Sequence, residues 1–173
     1  MPVLALAIGG CGLLAPVWRR QAPGGGFAAS HRSEPALSGD GRWLASLIDQ
    51  GGTTRVLLQS QPGGALQPLR HLSRQTPHSS PSLSWNGRYL AAVVSIGERR
   101  LVVVEDRLRG SVLRLPLPGG GQPERVSLAP DGGRLAVQLQ QQGRRRVQLF
   151  SLSAVLEPDR PGGLRVLGGG SEP

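Results

Sequence analysis

Cysteine is nearly missing: Cys11 is the only one in 173 residues. That excludes a disulfide scaffold. Lysine is absent altogether, and all 20 basic side chains are arginine. Abundant Gly, Pro, Ala and Leu accompany it, the usage of a GC-rich coding sequence. Aromatic residues are few, three Trp, one Tyr and two Phe, so any core must be aliphatic. A helical bundle is excluded by 26 glycines and 15 prolines, the two residues that helices tolerate least. Acids are scarce as well. Eleven carboxylates against 20 arginines leave a net charge of +9, which attracts acidic partners, anionic lipid or nucleic acid without choosing among them.

The chain also lacks a long hydrophobic run. Its longest uncharged apolar stretch, residues 3–17, is too short for a comfortable membrane span. It has the length of a signal-peptide apolar region. Within it, Ile8-Gly9-Gly10-Cys11 resembles a bacterial lipobox, an aliphatic residue and two small ones before cysteine. The resemblance implies cleavage before Cys11 and lipidation of its sulfur. A signal or an uncleaved anchor without lipid, and a plain apolar tail, are the alternatives. Residues 1–18 are thus read as a signal or lipid-anchor segment. Residues 19–33, Gly/Pro-rich and without period, are read as a linker.

What is present is a repeat. Pro35–Ala45, Pro81–Ala91 and Val126–Ala136 share an Asp/Asn-Gly pair and a Leu-Ala pair at one internal offset. Asp40, Asn86 and Asp131 are 46 and 45 residues apart. Asp-Gly and Asn-Gly supply the positive φ of a tight turn, so Asp40-Gly41, Asn86-Gly87 and Asp131-Gly132 are assigned as structural turns, not a carboxylate site. A strand-like apolar pattern follows each turn, then a Gly-bearing or polar break, then a third strand: Arg55–Gln59, Leu101–Glu105 and Val147–Ser151. A weaker fourth strand is expected near 66–72, 112–115 and 164–167. Four strands per roughly 45 residues is the spacing of a β-propeller blade. The expected fold is all-β: three four-stranded propeller-type blades at about 34–79, 80–122 and 123–168, with a short tail at 169–173.

The pattern apolar-x-Ser-Pro-Asp-Gly-x-x-Leu-Ala, followed by alternating valines, resembles the WD-like repeats of TolB-type propellers over residues 34–168. Ala129-Pro130-Asp131-Gly132 carries it most fully. There is no Gly-His followed by Trp-Asp, as in eukaryotic WD repeats, and no Gly-x-Ser-x-Gly nucleophile elbow. The resemblance implies a non-catalytic protein-binding module of the bacterial envelope, periplasmic or lipid-anchored at the membrane. The alternatives are a gating propeller of a peptidase-type hydrolase, since such enzymes carry similar repeats, and a cytoplasmic scaffold. Three blades make half a six-blade ring. A homodimer completing the ring, an arc capped by its own loops, or a truncated gene are the three ways to resolve that.

No cofactor or metal is expected. His31, His71 and His78 have no carboxylate or cysteine at ligand spacing and are read as surface-loop residues, with 73–84 as the loop joining the first two blades. Glu105-Asp106 is read as capping a hairpin. Arg99-Arg100 and Arg144-Arg145-Arg146 both stand just before a third strand, with Arg55 at the matching place in the first blade. Together they form a basic rim that would dock an acidic protein surface or lipid headgroups, or simply solvate the strand entrance. No interleaved aromatics accompany them, so nucleic acid is not an expected partner.

Overall fold

The computed structural model describes residues 31–73 and 77–160. The first blade holds β1 (Arg32–Leu37), β2 (Trp43–Gln50), β3 (Thr53–Ser60) and β4 (Leu66–Gln67). The second holds β5 (His78–Leu83), β6 (Tyr89–Ile96), β7 (Arg99–Asp106) and β8 (Ser111–Leu115). The third holds β9 (Gln122–Leu128), β10 (Arg134–Gln141) and β11 (Arg144–Ser151). Each blade is an antiparallel sheet in simple sequence order.

The repeat survives at the level of register. Ala45, Ala91 and Ala136 pair with Ala36, Ser82 and Ser127 on the first strands of their blades. The central hairpins close at Gln50–Thr53, Ile96–Arg99 and Gln141–Arg144. Period-2 alternation then gives every blade a leading face toward the next blade and a trailing face toward the previous one. Ala45, Leu47, Val56 and Leu58 lead from the first blade into Leu83, Leu90, Ala92, Val94 and Val103 of the second. Tyr89, Ala91, Val93, Val102 and Val104 lead from the second into Val126, Leu128, Leu135, Val137 and Leu139 of the third. Because β6 is covered on both faces, Tyr89–Val94 is apolar without alternation and wholly buried.

Several expectations need correction. The segment 73–84 is not simply a loop, since β5 lies within it. His78 is buried there, its Nδ1 accepting the Val56 N–H at 3.0 Å, so it is no surface residue. The fourth strand of the first blade is only Leu66–Gln67. The chain then leaves the sheet, and the backbone N–H groups of Arg70, His71 and Leu72 donate to the Glu105 carboxylate at 2.8–3.0 Å. Glu105 therefore anchors the connection between blades and does not cap a hairpin. Asp106 does cap one, accepting from Leu108 and Arg109 N–H. The third blade has three strands among the described residues. Its expected fourth, 164–167, lies outside them.

Candidate partner-binding surfaces

Gly41, Gly87 and Gly132 adopt φ of 71°, 67° and 74° in their turns. The three turns are stitched together along one rim. The Asp40 N–H donates to the Trp85 carbonyl at 3.0 Å, the Trp85 N–H to Pro130 at 2.7 Å, and the Asp159 N–H to Asp131 at 2.8 Å. Turn glycines also receive the aromatic side chain of the preceding blade. A Cβ on Gly87 would stand 2.5 Å from the Trp43 ring, and one on Gly132 would stand 2.7 Å from Tyr89.

The three turn residues are not chemically equal. Asp40 accepts locally, from Ser38 Oγ and the Arg42 N–H. At Asn86 the carboxylate comes instead from Asp159, which is buried on the stretch after the third blade. Asp159 accepts from Ser84 Oγ, the Asn86 N–H and Asn86 Nδ2, and Nδ2 also donates to the Arg160 carbonyl. Asparagine fits because it donates where a second carboxylate would repel.

Between this stretch and the first two blades lies a cleft of about 560 Å³. Trp43, Asn86, Arg88, Arg107, Leu108 and Arg160 are among its walls. Arg107 lies over the Trp43 ring, 4.1 Å from its centroid, and donates from Nη1 to the Gly87 carbonyl. Burial lowers the Arg107 pKa, with Glu105 opposing. Arg88 is held at 3.0 Å by both Asp106 and Glu157. The Asp106 hydrogen bond does most to raise its pKa, against burial. Burial alone would push the Asp106 carboxyl up, but Arg88 and the N–H groups of Arg109 and Leu108 outweigh it and hold it below its ordinary value. Arg107 has no carboxylate in ion-pair contact among the described residues. Leu108 is 76% exposed at the edge. The cleft thus joins a stacked Trp–Arg pair, an apolar edge and excess positive charge.

The expected basic rim lies at the opposite ends of the strands. All six arginines are exposed. Arg99 and Arg144 stand at the hairpin ends, one residue before Arg100 and Arg145. Arg55 is not the counterpart of Arg99 or Arg100, because it pairs with Ile48, two residues deeper, and matches Arg146. The structure brings Arg100 and Arg145 together with Arg125 around a polar hollow of about 540 Å³, which Glu34, Glu124 and Gln138 also line. Arg145 Nε is 3.0 Å from Glu124. Arg55, Arg99, Arg144 and Arg146 stay outside that hollow. Cys11 lies outside the described residues. Among those described, no three His, Cys, Asp or Glu side chains converge on a point where a metal ion could sit. The cleft was missed in the sequence because its walls come from separate repeats. The arginine that follows the turn in Asn86-Gly87-Arg88 was the one available signal.

No protein-family model matches the sequence, and no curated protein matches it. Solved structures do match. TolB from Acinetobacter baumannii superposes with a TM-score of 0.59 at 17% identity, over 76% of this chain and 33% of that one. The chain has the fold of part of a TolB-like β-propeller. A putative TolB from Agrobacterium tumefaciens gives 0.53 at 17% identity, covering 71% of this chain and 46% of its own. The β-propeller domain of the Trilobed protease from Pyrococcus furiosus gives 0.56 at 12% identity, covering 76% and 42%. This TolB-like chain therefore spans between a third and just under half of the structures it resembles.

Proposed function

We propose that this chain is a non-catalytic TolB-like propeller module that binds a protein partner in the bacterial envelope, held there through Cys11. The observation that carries the reading is the cleft at the turn rim. A Trp–Arg stack is the composition of an interface anchor, the exposed Leu108 beside it adds apolar area, and the guanidinium of Arg107, with no ion-paired carboxylate among the described residues, selects an acidic segment. The envelope setting rests on the TolB-like repeats and on the lipobox-like Ile8–Cys11. The arginine hollow at the other end of the strands offers a second, weaker contact for the same acidic partner.

The test is a photo-crosslinking residue at Leu108 in the full chain, expressed in its host. One discrete protein adduct in the envelope fraction is expected, lost in Arg107→Ala. Absence of any adduct, or one indifferent to Arg107, overturns the reading. Cys11→Ser is expected to abolish incorporation of labelled fatty acid, and a chain that takes up none before substitution removes the lipid anchor. Likeness to a protease propeller domain favours a second reading, a separate-chain gate for a peptidase-type hydrolase. A hydrolase as the adduct decides for it.

A further inference from the structure

The two rims of the blades differ in what they present. The described aromatic residues all lie toward the turn rim. Trp43 and Tyr89 pack on the next turn, Trp85 precedes Asn86, and Phe150 pairs with Leu135, one residue from the start of β10. Among the described residues the hairpin rim has no aromatic side chain. Its tips hold Gly51, Gly52, Gly97 and Gly143, each with open space where a Cβ would stand, and Ile96, 49% exposed. Arg99 and Arg144 stand at the tips, with Arg55 and Arg146 two residues deeper. All four are exposed, and none is in ion-pair contact with a carboxylate among the described residues. The carboxylates at the tips are Asp49, which accepts the Gly52 N–H, and Glu98. On the turn rim, by contrast, Arg42, Arg88 and Arg109 each face a carboxylate.

This combination selects a class of surface. Protein interfaces concentrate their affinity in aromatic and arginine anchors set in pockets. Single-stranded nucleic acid is held by stacking on aromatic rings. The hairpin tips offer neither a ring nor a pocket. A bilayer with anionic headgroups asks only for positive charge spread over a protruding face, with an apolar side chain to enter the headgroup layer. The chain also enters the first blade at this rim, because Arg32, the first residue of β1, pairs with Ile48, which itself stands opposite Arg55.

We infer that the hairpin rim docks on an anionic lipid surface, with the tips of the three β-hairpins at the headgroups and the Trp43–Arg107 cleft facing away. The eight-residue strands β2, β6 and β10 set the two rims roughly 26 Å apart. That is about three times the Debye length of about 8 Å at physiological ionic strength. The cleft therefore lies outside the field of the surface and stays open to a partner. The docking needs neither the cleft nor a lipid on Cys11, although a tether through Cys11 leads into β1 at the same rim.

Vesicle flotation and amide exchange test it on the full chain with Cys11→Ser, so that no acyl chain contributes. Vesicles of phosphatidylglycerol with phosphatidylcholine are expected to bind more tightly than phosphatidylcholine alone, and the excess to vanish in high salt. Arg99→Gln with Arg144→Gln is expected to weaken that salt-sensitive binding about 25-fold, roughly fivefold per arginine. Arg42→Gln with Arg134→Gln removes the same charge from the turn rim and is expected to leave it nearly unchanged. Amide exchange is expected to slow at the hairpin tips, 50–53, 96–99 and 141–144, on the anionic vesicles, and to stay as it was around Leu108. Unaltered exchange in the blade cores shows that each variant is folded. Equal losses in the two double variants, protection around Leu108 in place of the tips, or no preference for the anionic vesicles overturns the docking. So does a discrete protein adduct from a photo-crosslinking residue at Gln50, which would assign the rim to a protein. None of these outcomes depends on the adduct expected at Leu108.

Discussion

The indole of Trp43 lies against the backbone of Gly87, so close that a Cβ there would stand 2.5 Å from the ring. Two blades meet at that contact, and the turn that makes it has φ of 67°. Gly87 therefore answers to two constraints at once, a left-handed backbone and the ring above it. Its repeat partner Gly132 repeats both under Tyr89.

Gly87→Ala is expected to lower stability by about 3 kcal/mol, left-handed strain plus displacement of the indole. Gly51→Ala, at φ 64° with nothing within 4 Å, meets only the strain and is expected to cost about 1 kcal/mol. Urea unfolding of the two variants measures the difference. Equal losses would mean that Trp43 moves aside freely.

Asn86→Asp puts a second carboxylate on the buried Asp159 and removes the Nδ2 donor that serves Asp159 and the Arg160 carbonyl. A loss of about 2–3 kcal/mol at neutral pH is expected. A neutral substitution would show that the Asp159 stretch does not hold the second blade.

Glu105 collects three backbone N–H groups with one buried carboxylate. Glu105→Gln replaces one acceptor oxygen with a donor that faces N–H groups. It is expected to cost about 2–3 kcal/mol and to open the connection around Arg70–Leu72 to proteolysis. Limited digestion of folded protein reads the second effect directly.

Burial, aided by the charge of Arg55, pushes the His78 pKa from 6.5 down to about 4. Its Nδ1 accepts the Val56 N–H, so the folded ring is neutral with its proton on Nε2. Below pH 6.5 the unfolded chain takes up a proton there that the folded chain refuses until about pH 4. Stability is therefore expected to fall as pH drops through that window, by up to about 3 kcal/mol. His78→Gln, which retains an acceptor for Val56, should flatten the slope between pH 6.5 and 4.5. An unchanged slope would assign it to other groups.

The sequence by itself determined the blades. Asp/Asn-Gly turns at a constant period and apolar alternation between them are local features, and local sterics fix their meaning. Three sheets in hairpin order follow from them, as does the continuous apolar run of Tyr89–Val94 in the central blade. Tertiary structure alone decided which side chains work across blades. Asn86 and Asp40 look alike as turn formers, but of the two only Asn86 is bonded by the Asp159 carboxylate, 73 residues away. His78 sits in a polar-looking stretch and Glu105 at the polar end of an apolar strand, and they are buried because the fold carries parts of the first blade and its connection over them. Arg55 resembles Arg99 in sequence and matches Arg146 in register, because position on a strand is set by hydrogen-bond pairing and not by distance from the turn in the chain. Period-2 geometry assigns faces within a blade, while the packing of one blade on the next decides which side chains are covered: Val56 and Val102 are buried between blades, and Val147, at the same place in the third blade, is 73% exposed.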